Sequence, residues 1–299
     1  MQIKPNVSVI IVNYNSGSYA LDCIRSLGKQ QDVNLEIIVV DNASKDDSLE
    51  LFAANLPDHV LLIKSPENLG LGRANNLAAN RAGSDFLLLL NPDTKIDDPY
   101  AIKKLLATLL RQPKIGLLAP AVDEPRKNKQ VLPRYRYPSA NQLRCTENLK
   151  GLPGKIAWVL GACMPIKRSV YSAIQGFDED FFLYGEDVDI CLRLRLAGYE
   201  IGYTDDVRIM HVSGASEIGA DTLDKWLRKR RGIYLFYLKH YGVRDVLHIA
   251  RKAILKSKCY LLALRLKALF SDKNSPVFLD KKHRLQATIL VAKETITIL

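Results

Sequence analysis

Six acidic residues fall within twelve positions of the chain, and four aromatic residues lie beside or among them. A carboxyl group held against an aromatic surface loses hydration, which raises its pKa and suits it to general-base chemistry. The run therefore predicts a general base among Asp178, Glu179, Asp180, Glu186, Asp187 and Asp189. Because Glu186 and Asp187 open a predicted helix, the alternative is that they only complement the helix dipole.

A second set of polar residues follows apolar runs that read as strands, at 7–12, 35–40, 60–63 and 86–90. Helical segments alternate with these runs, which predicts an α/β fold with a mostly parallel sheet and helices on both faces. Open α/β sheets bind ligands at the carboxyl ends of their strands. We expect that rim to gather Asn13, Asn15, Asp41, the segment 68–76 and Asp93. Residues 122–156 predict a long loop.

Two acids on this rim, Asp93 and Asp41, are of a type that could bind a metal or part of a nucleotide. Asp93 follows Asn91-Pro92 and suits Mg²⁺ or Mn²⁺ on a diphosphate, although an ordinary turn explains the tripeptide equally simply. Asp41 suits a ribose or a base edge, and its alternative is a helix cap. A lone histidine at a strand end, such as His211, is more often structural, but it would share a metal with Asp93 if the two lay close together.

Gly70 and Gly72 allow the backbone to approach a ligand, and Arg73 suits a phosphate. The glycine spacing lacks the third glycine of a dinucleotide fingerprint, so a simple Gly-rich turn remains an alternative.

The net charge of +11 is confined to one part of the chain. Residues 1–220 hold 25 Lys and Arg against 26 Asp and Glu, whereas residues 221–299 hold 18 against 6. We therefore predict a catalytic domain over 1–220 and a basic, amphipathic helical extension over 221–299. Apolar residues at helical spacing with basic flanks are typical of a membrane-surface element, here Val246, Ala250, Ala253, Ile254, Leu261, Leu264 and Ala268. The alternatives are helices that pack on the catalytic domain or form a homodimer contact.

The five cysteines show no CxxC spacing, which favours a reducing compartment, and Cys163 and Cys191 lie in apolar settings typical of a core. No signal peptide and no membrane-spanning run is apparent. We therefore expect a cytoplasmic protein that is peripheral at the inner face of the cell membrane.

Taken together, the motifs resemble those of family 2 inverting glycosyltransferases, and within that family those of bacterial rhamnosyltransferases of polysaccharide assembly. The resemblance lies in residues 9–15, 40–44, 68–76, 90–93, 161–163, 177–189 and His211, in this order. It implies a GT-A fold, a divalent metal (Mg or Mn), a nucleotide-sugar donor, and a glycan or lipid-linked acceptor.

The resemblance also implies roles for particular residues. Asp187 would be the base, Asp93 the last acid of the metal motif, and His211 a second metal ligand. The motif here is Asn-Pro-Asp rather than Asp-x-Asp, so it has one carboxylate fewer. The expected nucleotide-sugar site comprises Asn13, Tyr14, Asn15, Asp41, Asn42, Asn68, Gly70, Arg73, Asn75 and Asn91, with Asp41 at the nucleobase. The expected acceptor side comprises Trp158, Gly161, Ala162 and Glu186.

Other functions compete with this interpretation. A nucleotide-sugar-binding module without transfer activity would keep Asp41 and the Gly-rich turn, but it has no need of the 177–189 run. A nucleic-acid binder would use the basic extension, which lacks a base-reading motif. A nucleotidyltransferase would carry an N-terminal Gly-rich loop with a basic residue, which is absent here. Within the enzyme hypothesis, dTDP-rhamnose is the first donor to consider, and a UDP- or GDP-sugar is the alternative.

Overall fold

The computed structural model describes residues 4–144, 146–212, 214, 221–267, 273 and 275–299. The chain forms two compact units. The first comprises Met1–Arg136, Leu152–Phe182 and Glu186–Ser216, and the second comprises Tyr137–Gly151, Leu183–Gly185 and Glu217–Leu299. The predicted functional division at residue 220 stays a prediction, and two short segments from before that position belong to the second unit.

The first unit is built on one sheet with helices on both faces. Its strands are β1 (Asn6–Asn13), β2 (Asn34–Asp41), β3 (Leu61–Lys64), β4 (Phe86–Leu90), β5 (Thr94–Lys95), β6 (Ile115–Glu124), β7 (Lys129–Val131), β8 (Cys163–Lys167) and β9 (Glu200–His211). Its helices are α1 (Gly17–Leu27), α2 (Ser48–Asn55), α3 (Gly70–Ala79), α4 (Ala101–Arg111), α5 (Arg168–Ala173) and α6 (Glu186–Leu196).

Among the described residues the strand order is β3-β2-β1-β4-β8-β6-β9-β5, with β7 paired to β6. The first four strands in this order are parallel, as their continuous apolar runs predicted. The β4–β8, β6–β8 and β5–β9 pairs are antiparallel, so the sheet is mixed beyond β4. Part of the predicted long loop is ordered as well, because β6 continues to Glu124 and forms an antiparallel pair with β7.

Alternation along β1 creates two core layers. Val7, Val9 and Ile11 face one layer, which contains apolar residues of α1 and α4. Ile10 and Val12 face the other layer, with Ala74 and Ala78 of α3 and the apolar side of α6. Because side chains alternate between the two faces of a strand, an unbroken apolar run is required when both faces are covered. Cys163 and Cys191 are buried in this core, as predicted.

The register of the parallel strands brings their carboxyl ends to one rim. Asn13 pairs with Asp41, and Ile11 pairs with Leu90 directly before the Asn91-Pro92-Asp93 turn. The polar residues that follow β1, β2 and β4 are therefore neighbours, and the expected rim is present.

The second unit contains three helices, α7 (Thr222–His240), α8 (Val243–Lys267) and α9 (Pro276–Ile298). Aromatic contacts join α7 to the segment 137–151: the rings of Tyr137 and Phe236 stack at 6.0 Å, and Tyr241 donates a hydrogen bond to the Pro138 carbonyl (2.7 Å). Gly232 is required where α7 meets residues 183–185, because a Cβ atom there would overlap the Tyr184 carbonyl group. In the described part of the chain, no helix combines the length and apolarity needed to cross a bilayer.

Candidate active site

The turns after β1 and β2 are fastened together by side chains. Asn13, which is fully buried, donates through Nδ2 to Asp41 Oδ1 at 3.0 Å. Ser44 Oγ accepts from the same amide and from the Asn15 backbone N–H, each at 3.0 Å. The second oxygen of Asp41 accepts from the Ser44 N–H at 3.2 Å, so this carboxylate closes the local turn. It does not cap a helix, because α2 begins at Ser48 with Asp47 at its N-cap position. Ser44 was not predicted as a site residue, although it ends the 40–44 motif.

The side-chain oxygen of Asn13 differs from the other polar atoms of this cluster. Within the described residues, Asn13 Oδ1 is buried and has no hydrogen-bond partner. An unpaired buried acceptor is costly, so its natural complement is a donor group on a ligand. Next to it, Tyr14 is half-buried, and Asn15 has a left-handed backbone (φ 51°) and accepts through Oδ1 from the Lys45 N–H at 2.7 Å.

Asn42 connects this cluster to the beginning of α3. Its amide donates to Asn68 Oδ1 (3.0 Å) and to the Gly70 carbonyl (3.2 Å), while its own oxygen accepts from the Leu69 N–H (2.8 Å). Gly70 has a φ of 78°, and a Cβ atom there would lie 2.9 Å from the Phe182 Cα. The group that this glycine approaches in the structure is therefore the backbone of Phe182.

The rest of the 68–76 segment fixes the acidic aromatic run. Arg73 is half-exposed and donates to the Glu179 carbonyl at 3.2 Å. Asn75 turns back onto its own helix, where its amide donates to the Leu71 carbonyl. Asn76, which sequence reasoning did not select, bonds the Phe177 carbonyl (2.9 Å) and the Phe177 N–H (3.0 Å). The motif contains the adjacent Asn75 and Asn76, but the sequence does not show which way each side chain points.

Asp93 and His211 lie next to each other at the far side of the rim. The pairing of Thr94 with His211 between β5 and β9 brings His211 Nε2 to 3.1 Å from Asp93 Oδ1. Asn91 Nδ2 is 3.2 Å from the same histidine nitrogen. Both members of the Asp93–His211 pair are buried. The described residues contain no group of three or more His, Cys, Asp or Glu that would hold a metal without further ligands.

Glu186 and Asp187 begin α6 with perturbed carboxyl groups. Loss of hydration raises the pKa of Asp187 to about 6, against the opposing effect of hydrogen bonds from the backbone N–H groups of Val188 and Gly161. Burial, together with the neighbouring charge of Asp187, raises the pKa of Glu186 to about 8. In the described structure, Glu186 Oε2 is buried without a hydrogen-bond partner.

Asp189 has a different role from its two neighbours. It is fully buried and forms an ion pair with Arg193, with 2.7 Å between Oδ2 and Nε. Arg193 also donates to the carbonyls of Ile174 (2.7 Å) and Gly176 (2.8 Å), which anchors α6 to the preceding turn. The three acids of α6 are therefore divided between one structural ion pair, at Asp189, and two carboxyls with raised pKa values, Glu186 and Asp187.

The turn at Gly161 and Ala162 connects Asp187 to the Asp93–His211 pair. A Cβ atom on Gly161 would lie 3.3 Å from the Asp187 Cβ, so the two backbones are close together. The Ala162 carbonyl accepts from the Asn91 N–H at 2.9 Å. Contacts thus run without a break from Asp187 through this turn and Asn91 to His211 and Asp93.

Trp158, the fourth residue expected on the acceptor side, is held by contacts to the segment 134–136. Its indole N–H donates to the Arg136 carbonyl at 3.2 Å, and its backbone forms a bridge with Arg134.

Comparison with known proteins identifies a family and several relatives. A sequence profile of Glycosyl transferase family 2 matches residues 8–175. The N-acetylglucosaminyl-diphospho-decaprenol L-rhamnosyltransferase of Mycobacterium tuberculosis is 26% identical, over 78% of this chain and 85% of that protein. Rhamnosyltransferase WbbL of Escherichia coli K12 is 27% identical, over 69% of this chain and 83% of that protein.

A solved structure supports the fold. The mannosyltransferase PcManGT from Pyrobaculum calidifontis, in complex with GDP-Man and Mn²⁺, superposes with a TM-score of 0.61 over 99% of this chain and 88% of that chain, at 18% identity. The profile match ends at residue 175, so Asp187 and His211 lie beyond it. Their assignment depends on the geometry described above.

The raised pKa of Glu186 predicts a specific dependence of stability on pH. Below pH 4.5 this carboxyl is neutral in both the folded and the unfolded chain. Above pH 4.5 the unfolded chain releases the proton first, so the wild type loses stability until the pH passes about 8. Glu186→Gln lacks that loss. Its free energy of unfolding relative to wild type should therefore be higher at pH 8 than at pH 5, by on the order of 2 kcal/mol.

Denaturant titrations at the two pH values would measure this difference. Glu179→Gln, which alters an exposed acid of the same run, is the matched control and should show no such trend. Parallel pH profiles for wild type and Glu186→Gln would contradict the proposed environment of Glu186.

Proposed function

The chain belongs to glycosyl transferase family 2, and we propose that it transfers a sugar, with inversion, from a nucleotide-diphosphate donor to an acceptor hydroxyl in cell-surface polysaccharide assembly. The observation that carries the proposal is the unbroken set of contacts between Asp187 and the Asp93–His211 pair. A transferase needs a base on the acceptor side and a charge-stabilising site at the leaving diphosphate, held in fixed positions.

Asp187 is proposed as the general base. With a pKa of about 6 it is ionised at neutral pH, yet it is a stronger base than an ordinary aspartate. It accepts the proton of the acceptor hydroxyl while that oxygen bonds to the anomeric carbon. The bond from the anomeric carbon to the diphosphate oxygen breaks on the opposite face, and the nucleoside diphosphate leaves with the electron pair. Glu186 beside it is largely protonated at neutral pH and limits the negative charge of the pair.

The nucleotide is proposed to lie along the ends of β1 and β2. The unpaired Asn13 Oδ1 suits an N–H donor of the nucleobase, and Asp41 is held rigidly beside it. Asn42 and Asn68 hold the beginning of α3 in place, and Arg73 is exposed enough to approach a phosphate. Tyr14 and Asn15 complete this side of the proposed site. Asn75, which bonds its own helix, is proposed to act through the position of α3 rather than by touching the nucleotide.

The Asp93–His211 pair is proposed to hold a divalent cation. Asp93 Oδ1 and His211 Nε2 lie 3.1 Å apart, and a carboxylate oxygen and an imidazole nitrogen are both common ligands of such ions. Diphosphate oxygens and water would complete the coordination shell, as they commonly do for Mg²⁺. The ion would neutralise charge that develops on the leaving diphosphate. The Mn²⁺ bound with GDP-Man in PcManGT supports this assignment.

L-rhamnose is the proposed sugar and a lipid-linked diphosphate sugar the proposed acceptor. The support is the similarity to the Mycobacterium tuberculosis and Escherichia coli rhamnosyltransferases, the first of which is named for a diphospho-decaprenol acceptor. Gly161 and Ala162 next to Asp187 are the proposed acceptor contacts, together with Trp158.

A peripheral position on an anionic membrane is proposed for the second unit. Part of the stripe expected to meet the membrane faces inward instead, since Val246 and Ala250 of α8 are buried, and Ala268 of that stripe lies outside the described residues. A different line along α8 is exposed, formed by Leu255, Cys259, Leu262 and Leu266 at steps of four, three and four. Exposed basic residues flank it, namely Arg251, Lys252, Lys256, Lys258 and Arg265. An apolar line between cations suits the interface of an anionic bilayer.

Asp187→Asn should lower turnover by about 10²–10⁴-fold, because general-base assistance is lost while the side chain keeps its size. Donor affinity should stay within about twofold, since Asp187 lies outside the proposed nucleotide site. Release of nucleoside diphosphate in the presence of a lipid-diphosphate N-acetylglucosamine acceptor measures the first quantity, and calorimetric donor titration measures the second. Asp180→Asn makes the same charge change in an exposed acid and serves as control. Transfer by Asp187→Asn at the wild-type rate would show that Asp187 is not the general base.

Binding of nucleoside diphosphates should depend on a divalent metal through Asp93. In a thermal-shift panel of dTDP, UDP and GDP, wild type should gain more stability with Mn²⁺ than with chelator, and the largest gain identifies the nucleotide. Asp93→Asn should lose the metal-dependent part, a weakening of about tenfold or more. Asp97→Asn, an exposed acid nearby, should behave as wild type. Equal stabilisation of wild type with and without metal would argue against a cation at this pair.

Replacing Lys252, Lys256 and Lys258 together by Gln should weaken binding to anionic vesicles by about 10²-fold, since each such cation contributes about 1 kcal/mol. Co-sedimentation with phosphatidylcholine vesicles, with and without phosphatidylglycerol, measures this effect. Lys103→Gln combined with Lys104→Gln, in the first unit, controls for charge. Sedimentation that ignores phosphatidylglycerol content would exclude this surface.

A further inference from the structure

Three cations surround one indole ring in the second unit. Lys229 Nζ lies 5.5 Å from the ring centre of Trp226, and the guanidinium carbons of Arg230 and Arg284 lie at 5.6 and 5.7 Å. Arg230 belongs to α7 and Arg284 to α9, so the two helices bring like charges together. Such an arrangement is unfavourable unless negative charge is supplied nearby.

Two acids of this unit lie close to the cluster, and each is held by another side chain. Asp280 accepts a hydrogen bond from the Trp226 indole N–H at 2.8 Å. Glu294 forms an ion pair with Arg231 (3.1 Å), the exposed neighbour of Arg230. Among the ion pairs of the described residues, none joins Arg230 or Arg284 to a carboxylate.

Arg230 has a buried donor without a partner. Its Nε atom is shielded from solvent, and in the part of the chain that the structure describes it makes no hydrogen bond. Burial lowers the pKa of this guanidinium, and Arg284 lowers it further, whereas Tyr237 and Tyr234 oppose that change. The guanidinium stays charged in spite of this, since its ordinary pKa is far above neutrality.

Tyr234 provides a second, independent sign of a missing ligand. Its side chain is 4% exposed, and its hydroxyl has no hydrogen-bond partner among the described residues. Buried tyrosine hydroxyls usually find a partner, and one without a partner is destabilising. Tyr234 lies close enough to Arg230 for the two groups to influence each other's pKa.

We propose that Trp226, Arg230, Tyr234 and Arg284 form a binding site for a diphosphate anion. Guanidinium groups donate paired N–H bonds to phosphate oxygens, and the tyrosine hydroxyl adds one neutral donor. All four residues belong to the second unit. The identification of its ligand as the diphosphate of a lipid-linked acceptor rests on the proposed function. The anion site itself rests only on the unpaired groups.

The test follows the fluorescence of Trp226. The chain has two tryptophans, so Trp158→Phe leaves Trp226 as the only reporter. Inorganic pyrophosphate is titrated in the presence of a chelator, which removes the metal-dependent binding proposed for the donor site. A saturable change in Trp226 emission is expected. Arg230→Gln should weaken it by about tenfold or more, because a charged hydrogen-bonding group is lost.

Two variants separate a ligand site from a structural role. Tyr234→Phe removes only the unpaired hydroxyl, so it should weaken pyrophosphate binding several-fold while the midpoint of thermal unfolding stays the same or rises. Arg231→Gln makes the same charge change one residue from Arg230 and should bind as the parent does. Loss of binding in Arg231→Gln equal to that in Arg230→Gln would show that only bulk charge matters and would overturn the site.

Further outcomes decide the nature of the ligand. If phosphatidylglycerol vesicles change Trp226 emission and pyrophosphate does not, the surface is a membrane contact and the diphosphate site is refuted. If pyrophosphate binding needs Arg230 and the wild-type protein, with Trp158 intact, shows no transferase activity, the site is upheld and the proposed function is rejected. If the protein has transferase activity and Trp226 does not respond to pyrophosphate, the proposed function is upheld and the anion site is rejected.

Discussion

A single turn determines how far the proposed base lies from the proposed cation. Ala162 accepts a backbone hydrogen bond from Asn91, and Gly161 lies against the Cβ of Asp187. A side chain on Gly161 would push against the first turn of α6, so its absence allows the turn to lie close to that helix. Asp187 lies on α6, whereas Asp93 and His211 lie at the ends of β4 and β9, and this contact therefore connects the proposed base to the proposed metal ligands.

The acids of α6 show how the fold supports two carboxyls with raised pKa values. Asp189 is neutralised by Arg193, which also holds two carbonyls of the preceding turn. That ion pair anchors the helix, whereas no ion pair of the described residues includes Glu186 or Asp187, and burial raises the pKa of both. A positive partner for Asp187 would stabilise the chain but lower its basicity, so stability and reactivity are opposed at adjacent positions.

The sequence allowed the sheet and its rim to be predicted, because continuous apolar strands and the polar residues after them depend on local patterns. The sequence also indicated that His211 would share a metal with Asp93 only if the two lay close together, and the pairing of β5 with β9 does bring them together. Contacts between residues that are far apart in the sequence could not be predicted from these local patterns. Nothing local in residues 137–151 indicates that Tyr137 stacks on Phe236, and the helical spacing of Val246 and Ala250 fits either a membrane or a buried face. Asn76 and Ser44 were missed because their roles depend on partners far away in the chain.

The composition of the second unit has a consequence for synthesis on the ribosome. Its helices come from the end of the chain, but it also includes residues 137–151 and 183–185, which are made much earlier. Tyr137 and the residues beside it therefore leave the ribosome well before α7 exists to cover them. Such segments are exposed to misassociation and to chaperones until translation is almost complete. A chain that stops before α7 would keep that exposed aromatic surface permanently, so removal of the C-terminal helices would not yield an intact smaller domain.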